Sequence, residues 1–432
     1  MDKIVSLCKR RGFVFPGSEI YGGLASTYDY GPLGVELKNN LRKMWWKKFV
    51  QDREDMVGLD GGIMMSSKIW EASGHISNFK DPLKECKDCN ARFRPDKVEN
   101  PNVCPQCGKE NLTDEKLFSG MFKTQIGPIE EEGESVYLRP ETAQAIFANY
   151  KNVLNSTNKK VPFGIAQTGK AFRNEITTGN FIFRTLEFDQ MEIEYFISPK
   201  DNWEKMFEEW RVQLHDYAKD VGIDDSKLHD VETPKADLAH YSKKTIDVEF
   251  EFPFGQDELW GLAYRTDHDL ESHEKHSGED LKYFDDQTKE KYLPHVIEPS
   301  LGLDRTVLAV LASAYEEEVL EGGETRNVLH LKPAVAPYKI AVFPLLKNKE
   351  ALVTKARSVF EDLKKVYPVF WDERGNIGKR YRYQDEIGTP FCVTVDFDTL
   401  EQGEVTVRDR DTMKQEKVKL DDLKTYLEDK LK

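Results

Sequence analysis

The chain has 432 residues, of which 39% are hydrophobic and 32% are charged, and it carries a formal net charge of −15. This length suggests two or three domains and is ample for a large buried core. No apolar run reaches the roughly 18 residues that cross a bilayer, and residues 1–15 lack the apolar stretch of a secretory signal. We therefore expect a cytoplasmic protein without a membrane segment. The acidic balance argues against indiscriminate nucleic-acid binding but permits a local RNA-binding face.

A helix with a heavy apolar stripe is predicted near the N-terminus. Leu37, Leu41, Trp45 and Phe49 recur at steps of four within residues 35–49, which places them on one face of an α-helix. Periodicity alone leaves two interpretations about equally open, an ordinary core helix and a helix at a subunit interface.

Four of the six cysteines form two C-x2-C pairs. Cys86 and Cys89 are separated from Cys104 and Cys107 by 14 residues, within a polar segment at 81–119 that we interpret as an insertion. In a cytoplasmic chain this spacing favours a metal over disulfides and is close to that of a zinc ribbon. We expect the four thiolates to bind one structural Zn²⁺; the alternative is a set of solvent-exposed thiols without a metal.

The middle of the chain mixes helices and strands. Residues 222–245 are polar and charged, and we interpret them as a second insertion. The other predicted elements of this region are helices at 141–154 and 203–221, a strand hairpin at 163–196, strands at 246–253 and 258–265, and a strand, a glycine turn and a buried helix over 295–315.

A second domain is predicted at the C-terminus. Two prolines within residues 332–339 indicate a linker. The alternation of strand and helix that follows is typical of a small α/β domain with its own core. We therefore predict two domains, 1–334 and 335–432. The C-terminal elements are strands at 339–345, 369–373 and 390–397 and a helix at 349–365.

The hairpin at 163–196 carries side chains that suit a nucleotide. Arg173 and Glu175 share one face of its first strand, and Arg184, Phe188 and Glu192 share a face of the second. Guanidinium groups grip phosphate bidentately, a phenyl ring stacks on a flat heteroaromatic ring, and a carboxylate accepts from an exocyclic amine. These residues predict a nucleotide site without a glycine-rich loop. The alternative is a surface sheet with weak salt bridges.

A third arginine follows in EPSLGLDR, residues 298–305. Glu298, Ser300 and Arg305 span a strand, a turn and a helix start, and Gly302 allows the backbone to approach a ligand closely. An arginine that opens a buried helix is commonly structural. An arginine aimed at the same anion as Arg173 would be functional.

These segments together resemble a known family. FRNE (172–175), RTLEF (184–188) and GLDR (302–305) resemble motifs 2 and 3 of the class II aminoacyl-tRNA synthetases. The resemblance narrows to the homodimeric type of glycyl-tRNA synthetase through the longer strings WEASGH (70–75), YLRPETAQAIF (137–147), FDQMEIEYF (188–196), ELWGLAYRTDHDL (258–270), EPSLGLDR (298–305), GNIGKRYRYQDEIGTPF (375–391) and VRDRDT (407–412).

The resemblance implies an α+β fold. A class II antiparallel sheet with flanking helices would carry the Cys-rich, zinc-ribbon-like insertion, and the C-terminal α/β domain would bind the anticodon. It also implies that ATP, with Mg²⁺, activates glycine to glycyl-adenylate, and that glycyl is then transferred to the 3′ end of tRNA(Gly). The protein would be a homodimer, with residues 35–49 as the dimer helix.

The resemblance assigns roles residue by residue. Arg173, Glu175 and Arg305 are implied to be catalytic, and Glu258 and Glu298 are similar to Mg²⁺-holding positions. Arg408 and Arg410 would contact the anticodon, although RDRD by itself is equally typical of a solvated charge run. The implied ATP contacts are Arg173, Asn174, Glu175, Phe183, Arg184, Phe188, Glu258, Leu259, Gly302 and Arg305, and the implied glycine contacts are Arg94, Glu141, Gln190, Glu192, Glu298 and Ser300.

Glu141, Glu192 and Glu298 would repel one another if all three were buried and ionised. We therefore predict that at least one of them takes up a proton or pairs with an arginine.

Two other functions fit parts of the pattern. One is a sister synthetase for serine, alanine or proline, which RPETAQ and EPS disfavour. The other is a catalytically inactive, synthetase-like nucleic-acid-binding protein of the polymerase accessory subunit type. Such a protein would be expected to lose the ATP arginines, whereas Arg173, Arg184 and Arg305 are all present.

Overall fold

A computed structural model gives the fold. Residues 177 and 178 of the predicted hairpin and residue 240 of the predicted second insertion lie outside the residues that it describes. The described residues are 1–128, 134–176, 179–239, 241–320 and 322–432. Within these ranges no helix is long and apolar enough to span a membrane.

The helices and strands of the described ranges are numbered here in chain order. The α-helices are α1 (Asp2–Arg11), α2 (Pro32–Trp46), α3 (Ser67–Ala72), α4 (His75–Asn78), α5 (Ala143–Thr157), α6 (Trp203–Val221), α7 (His268–Ser277), α8 (Leu303–Ala314), α9 (Glu350–Leu363), α10 (Ile377–Ile387), α11 (Phe397–Gln402) and α12 (Leu423–Leu431). The strands are β1 (Val14–Pro16), β2 (Tyr28–Tyr30), β3 (Met56–Gly58), β4 (Met64–Met65), β5 (Lys80–Glu85), β6 (Arg92–Phe93), β7 (Lys116–Ser119), β8 (Lys123–Ile126), β9 (Glu134–Leu138), β10 (Phe163–Phe172), β11 (Glu187–Ile197), β12 (Leu228–Glu232), β13 (Lys244–Phe252), β14 (Gly255–Thr266), β15 (Tyr283–Phe284), β16 (Lys291–Tyr292), β17 (His295–Gly302), β18 (Tyr315–Val319), β19 (Thr325–Leu329), β20 (Ile340–Pro344), β21 (Val369–Trp371), β22 (Phe391–Val395), β23 (Glu404–Asp409) and β24 (Gln415–Lys419).

Local sequence explains several helix ends. Pro32 begins α2, where its fixed φ suits the first helical turn and its missing N–H costs nothing. The Asn202 side chain accepts from the Lys205 N–H at the start of α6, and Gly222 ends that helix in the left-handed conformation with a φ of 85°.

A seven-stranded sheet is the centre of the N-terminal region. Its strand order is β12-β13-β14-β17-β11-β10-β3. All neighbours are antiparallel except β3, which pairs parallel with β10. The antiparallel sheet with helices on its faces is the architecture expected from the sequence.

Strand β11 is buried on both faces. Met191 and Ile193 join the main core together with residues of α2, α6 and α8. Glu192 and Glu194 point to the other face and are buried as well, because α5 packs against β10 and β11 there. The alternation of the strand was predicted correctly, but its polar face is an interior surface.

The apolar stripe that begins in helix α2 packs against other residues of the same chain. Leu37, Leu41 and Trp45 of α2, and Phe49 in the π-helical turn that follows it, are fully buried in the main core. The core-helix interpretation therefore accounts for the periodicity of these four residues. A role of this helix in a homodimer stays a prediction and would have to involve its other faces.

The two predicted insertions differ in structure. Within 81–119 the strands form a small separate sheet of order β6-β5-β7. The segment 222–245 instead contributes β12, which pairs with β13 at the edge of the central sheet. Its polar composition reflects a half-exposed edge strand, since one side of such a strand meets solvent.

The C-terminal region forms its own five-stranded sheet of order β21-β20-β22-β23-β24. Strands β21, β20 and β22 are parallel, and β23 and β24 continue antiparallel. A separate hydrophobic cluster that includes Ile340, Val393 and Leu352 holds it together. The α/β character is as predicted, and the domain boundary at residues 334/335 stays a prediction.

Candidate active site

A cleft opens where β11, β14 and β17 meet the start of α8. Its lining combines charged side chains with the rings of Phe183 and Phe188. Of the ten predicted ATP contacts, its lining contains nine: Arg173, Glu175, Phe183, Arg184, Phe188, Glu258, Leu259, Gly302 and Arg305.

The tenth predicted contact, Asn174, faces the insertion. Its backbone N–H donates to the Gly120 carbonyl over 2.9 Å, and its side-chain amide donates to the Ser119 carbonyl over 3.4 Å. Asn174 therefore joins the cleft to the end of β7.

Three arginines point at the cleft. Arg173 Nε donates to the Pro140 carbonyl over 3.0 Å, and its guanidinium carbon lies 5.4 Å from the centre of the Phe188 ring. Within the described ranges neither Arg173 nor Arg184 forms an ion pair, whereas Arg305 pairs with Glu258 at 3.2 Å. Cations left without a carboxylate in so acidic a chain indicate an anion site.

Two aromatic rings of the cleft lie against its arginines. Phe188 lies beside Arg173, and Arg305 stacks on Phe183 with 4.3 Å between its guanidinium carbon and the ring centre. Arg305 Nη1 also donates to the Glu258 carbonyl over 2.7 Å, which fixes its direction into the cleft. A stacked, hydrogen-bonded guanidinium is preorganised for a phosphate.

An acidic cluster lies next to the cleft. Glu192 on β11 accepts from the hydroxyls of Thr142 over 2.6 Å and of Ser300 over 2.7 Å. The Thr142 N–H donates to Gln190 Oε1 over 3.1 Å. The predicted glycine contacts Glu192, Gln190 and Ser300 are thus brought together, and their side chains are held rigidly by hydrogen bonds.

Arg265 is the main site residue that the sequence reasoning missed. It lies on β14 and is 2% exposed. Its Nη1 donates to both oxygens of Glu298 over 2.9 and 3.0 Å, and its Nε and Nη2 donate to Asp269 over 2.8 Å each. A charged residue within the apolar run LAYR of the resembling string ELWGLAYRTDHDL was the available signal. The pairing of Glu298 with an arginine is as predicted for at least one of the three carboxylates.

Glu141 has partners of its own. Its Oε2 lies 3.4 Å from His75 Nε2, and its Oε1 accepts from the Gln144 amide over 3.0 Å. Burial acts to raise the pKa of Glu141, but the charge and hydrogen bond of His75, with help from Arg265, outweigh it, so the pKa is lowered. Neither His75 nor Gln144 was singled out from the sequence.

The other carboxyl groups of the cluster hold their protons more tightly. Burial, followed by the charge of neighbouring carboxylates, raises the pKa of Glu192, and burial raises the pKa of Glu298 to about 8 although Arg265 opposes it. The register of β11 against β17 puts Glu194 opposite Glu298. Burial and Glu298 raise the pKa of Glu194 well above its usual value, and within the described ranges neither oxygen of Glu194 has a hydrogen-bond partner.

The two predicted Mg²⁺ ligands are not brought together. Glu298 lies opposite Ala263, five residues along β14 from Glu258, which corresponds to about 16 Å of strand. Ligands of one Mg²⁺ each lie about 2.0–2.1 Å from the ion. Glu298 also gives both oxygens to Arg265. The structure therefore does not bring Glu258 and Glu298 to one ion, and the Mg²⁺ role of each stays a prediction.

Arg94 is placed at the cleft rather than in the acidic cluster. It lies directly after β6 and forms ion pairs with Asp81 at 2.9 Å and Asp96 at 2.8 Å. It lines a second cavity, between the insertion and the cleft, that shares Arg173 and Glu175 with the cleft. Its predicted contact with glycine is not explained by this position and stays a prediction.

The four cysteines converge as predicted. Their Sγ atoms all lie within 4.8 Å of one another, with 3.6 Å between Cys86 and Cys107 and between Cys89 and Cys104. A tetrahedral site with Zn–S bonds of about 2.3 Å would place the sulfurs about 3.8 Å apart. The donor set and its spacing thus fit one Zn²⁺.

Arg408 and Arg410 are buried, being 6% and 3% exposed. Arg408 donates to both oxygens of Asp385 over 2.7 and 3.0 Å. Arg410 donates to the carbonyls of Leu331 and Gly388 over 2.8 and 2.7 Å. Both the anticodon and the solvated-run interpretation place these guanidiniums at the surface. Instead, Arg408 is paired within the C-terminal region, and Arg410 joins that region to the segment after β19. Direct anticodon contact by either residue is not supported by this geometry.

Comparison with known proteins agrees with the fold and the site. Residues 122–314 match the family model of the tRNA synthetase class II core domain (G, H, P, S and T), and residues 339–430 match that of the anticodon binding domain. The predicted fold class is thereby confirmed.

Full-length relatives narrow the family further. The chain is 54% identical to the glycine–tRNA ligases of Lachnospira eligens and Clostridium acetobutylicum, with 100% of this chain and 99% of each relative covered. It is 51% identical to that of Geobacillus thermodenitrificans, over 100% of this chain and 97% of the relative. The chain therefore belongs to the glycine–tRNA ligase family of the class II tRNA synthetases.

Proposed function

We propose that the protein uses ATP to activate glycine as glycyl-adenylate and then transfers glycyl to the 3′ end of tRNA(Gly). The observation that carries this proposal is the juxtaposition of two unlike sites. A cleft with three arginines and a stacking ring, suited to a nucleotide triphosphate, lies next to a buried acidic cluster suited to a small ammonium.

The first step needs positioning more than a protein nucleophile. The glycine carboxylate attacks the α-phosphate of ATP in line, and pyrophosphate leaves. Arg173 would hold the α-phosphate and the glycine carboxylate, while Arg184 and Arg305 would hold the β- and γ-phosphates. Phe188 would stack on adenine, and Glu175 would accept from its amine. Bound Mg²⁺, with Glu258 as a ligand, would neutralise charge on the phosphates.

Glycine has no side chain to grip, so its site must read the ammonium and exclude anything larger. Glu192, held by Thr142 and Ser300, presents fixed oxygens to the ammonium. Glu141 is kept ionised by its neighbours. Because these side chains are locked by hydrogen bonds, an added methyl group would meet a wall that cannot move aside. Exclusion of a larger substrate by such a wall can be severe, in contrast to the weak rejection of a smaller one.

The decisive experiment is ATP–pyrophosphate exchange with Mg²⁺ and single amino acids. We expect exchange with glycine, and at least tenfold less with alanine, serine or proline. Exchange that prefers one of those three would favour a sister synthetase. Absence of exchange with every amino acid would favour the inactive, nucleic-acid-binding alternative.

The proposal extends to the molecular setting. Zn²⁺ bound by Cys86, Cys89, Cys104 and Cys107 would be structural, because four thiolates leave no open coordination position. We also propose that the protein is a homodimer, that it is cytoplasmic, and that its C-terminal domain binds the anticodon. The match of residues 339–430 to anticodon binding domains supports the last of these.

A further inference from the structure

The insertion has too little apolar core to hold its own shape. Throughout the fully described residues 80–119, the buried apolar side chains are Cys86, Phe93, Pro95 and Cys104, and two of these four are cysteines of the metal cluster. Small units with so little buried area usually need a metal or a disulfide to fold. The stability of this segment must therefore come mainly from the four-cysteine cluster.

The two cysteine pairs adopt the same local conformation. The Asn90 N–H donates to the Cys86 carbonyl over 2.8 Å, and the Gly108 N–H donates to the Cys104 carbonyl over 2.9 Å. Asn90 and Gly108, each directly after the second cysteine of its pair, have φ of 58° and 72°. Two matching turns that aim four sulfurs at one point form a built metal site.

The first of these turns also closes a hairpin. Strand β6 is held to β5 by only two residue pairs, Lys84 with Phe93 and Glu85 with Arg92, and the turn Cys86–Cys89 joins the two strands. A hairpin this short is not stable in water by itself. The metal cluster is thus the main constraint on the end of β6.

Arg94 follows immediately after β6 and lines the cavity that adjoins the nucleotide cleft. It lies five residues after Cys89, and ion pairs with Asp81 and Asp96 direct its guanidinium. Glu175 lines the same cavity as Arg94. The hydrogen bond to Asp96, together with the charges of Asp81, Asp96 and Glu175, raises the pKa of Arg94. By contrast, the base of the insertion is tied to the catalytic sheet independently of the cysteines, since Gly120 donates to the Phe79 carbonyl and accepts from the Asn174 N–H.

We propose that the metal held by the four cysteines positions Arg94 at the nucleotide cleft, so that loss of the metal weakens ATP binding while the catalytic sheet stays folded. This inference rests on the proposed function for the identity of the nucleotide. According to this inference, Arg94 contacts a phosphate of the nucleotide, and the cysteines affect nucleotide binding only by positioning Arg94.

The test uses the full-length protein and a double-mutant cycle. The four proteins are wild type, Arg94→Ala, the double variant Cys89→Ser/Cys107→Ser, and the combination of all three substitutions. Zinc content is measured by mass spectrometry and ATP affinity by calorimetry, neither of which depends on turnover. Lys87→Ala is the matched control, because it removes an exposed cation from the turn of the same hairpin.

We expect one zinc per wild-type chain, none in the cysteine variant, and about tenfold weaker ATP binding in Arg94→Ala, a factor typical of one lost charge-assisted contact. The cysteine variant should bind ATP as weakly as Arg94→Ala, and the combined variant should be no worse than either. Lys87→Ala should match wild type. Limited proteolysis should cut the zinc-free protein within 86–111 and spare the catalytic sheet.

Three results would overturn the inference: wild-type protein without zinc, zinc-free protein that binds ATP as wild type does, or losses that multiply in the combined variant. A different result would contradict the proposed function without contradicting this inference. Zinc-dependent ATP binding without glycine-dependent exchange would contradict the ligase activity and still support the role of the metal.

Discussion

Removal of Arg265 should destabilise the catalytic domain strongly, and more so at high pH. Arg265→Met keeps the length of the side chain but leaves Glu298 and Asp269 without the guanidinium that donates four hydrogen bonds to them. Removing one partner of a buried ion pair costs about 3–5 kcal/mol, because a buried charge is left uncompensated. Asp269 keeps the Gln144 amide as a donor at 3.0 Å, so we expect a loss near about 3–4 kcal/mol at pH 8.

The pH dependence of this loss has a defined sign. The charge of Arg265 lowers the pKa of Glu298 and of Asp269, so both pKa values rise in Arg265→Met. A carboxyl group whose folded pKa exceeds its unfolded value is penalised when the pH is high enough to ionise it, and protonation in the folded state relieves that penalty as the pH falls. The loss should therefore shrink between pH 8 and pH 6.

Urea unfolding followed by tryptophan fluorescence measures the effect. Trp371 is the only one of the seven tryptophans within residues 335–432, so the signal reports mainly on the catalytic domain. Arg265→Lys is the matched control, and it should lose less, since an ammonium keeps the charge but cannot fork between two carboxylates. A loss under about 1 kcal/mol for Arg265→Met, or one that does not change with pH, would refute the reasoning.

Two further predictions concern the acidic cluster and the junction of the domains. The KM for glycine should fall as the pH rises through about 8, because Glu298 ionises there and an anion attracts the ammonium better than a neutral acid. Exchange assays at saturating ATP should show this pH dependence of KM in wild type but not in Glu298→Gln. An unchanged pH dependence in the variant would exclude Glu298 as its source. Arg410→Met should reduce tRNA charging several-fold while sparing ATP–pyrophosphate exchange, because it leaves two buried carbonyls without a donor where the domains meet. The control is Arg382→Met, which removes a surface ion pair with Glu324. Equal effects of the two variants on tRNA charging would contradict the prediction.

The residues of the cleft differ in how readily they could be grouped from the sequence. Arg173, Glu175, Arg184 and Phe188 lie within a short stretch of chain, so motif spacing was enough to group them. The predicted strand positions were wrong for the first three, because β10 ends at Phe172 and β11 begins at Glu187. Arg305 lies more than a hundred residues further along, and only its resemblance to motif 3 placed it at the same ligand. The structure brings all five to one cleft, although the role of each stays a prediction.

Where the partner of a side chain comes from a different element, the sequence did not identify that partner. Glu298 was assigned to Mg²⁺, yet Arg265 takes both of its oxygens. Arg408 was assigned to the anticodon, yet Asp385 takes both of its terminal nitrogens. In each case the residue type was recognised as functional or charged, but its partner depended on which elements the fold brings next to it.

The sequence by itself determined the family, the order of the elements, which residues share a strand face, and the cysteine spacing that suits zinc. The family follows from the resemblance of the motifs, whereas the other properties follow from local chain geometry, because the periods of strand and helix decide the direction of each side chain. Tertiary structure alone decided that α5 covers the polar face of β11, that the apolar stripe of α2 packs into the core of its own chain, and that Arg265 pairs with Glu298. Those outcomes depend on strand order, on register and on the elements that cover each face, and contacts between distant segments set all three.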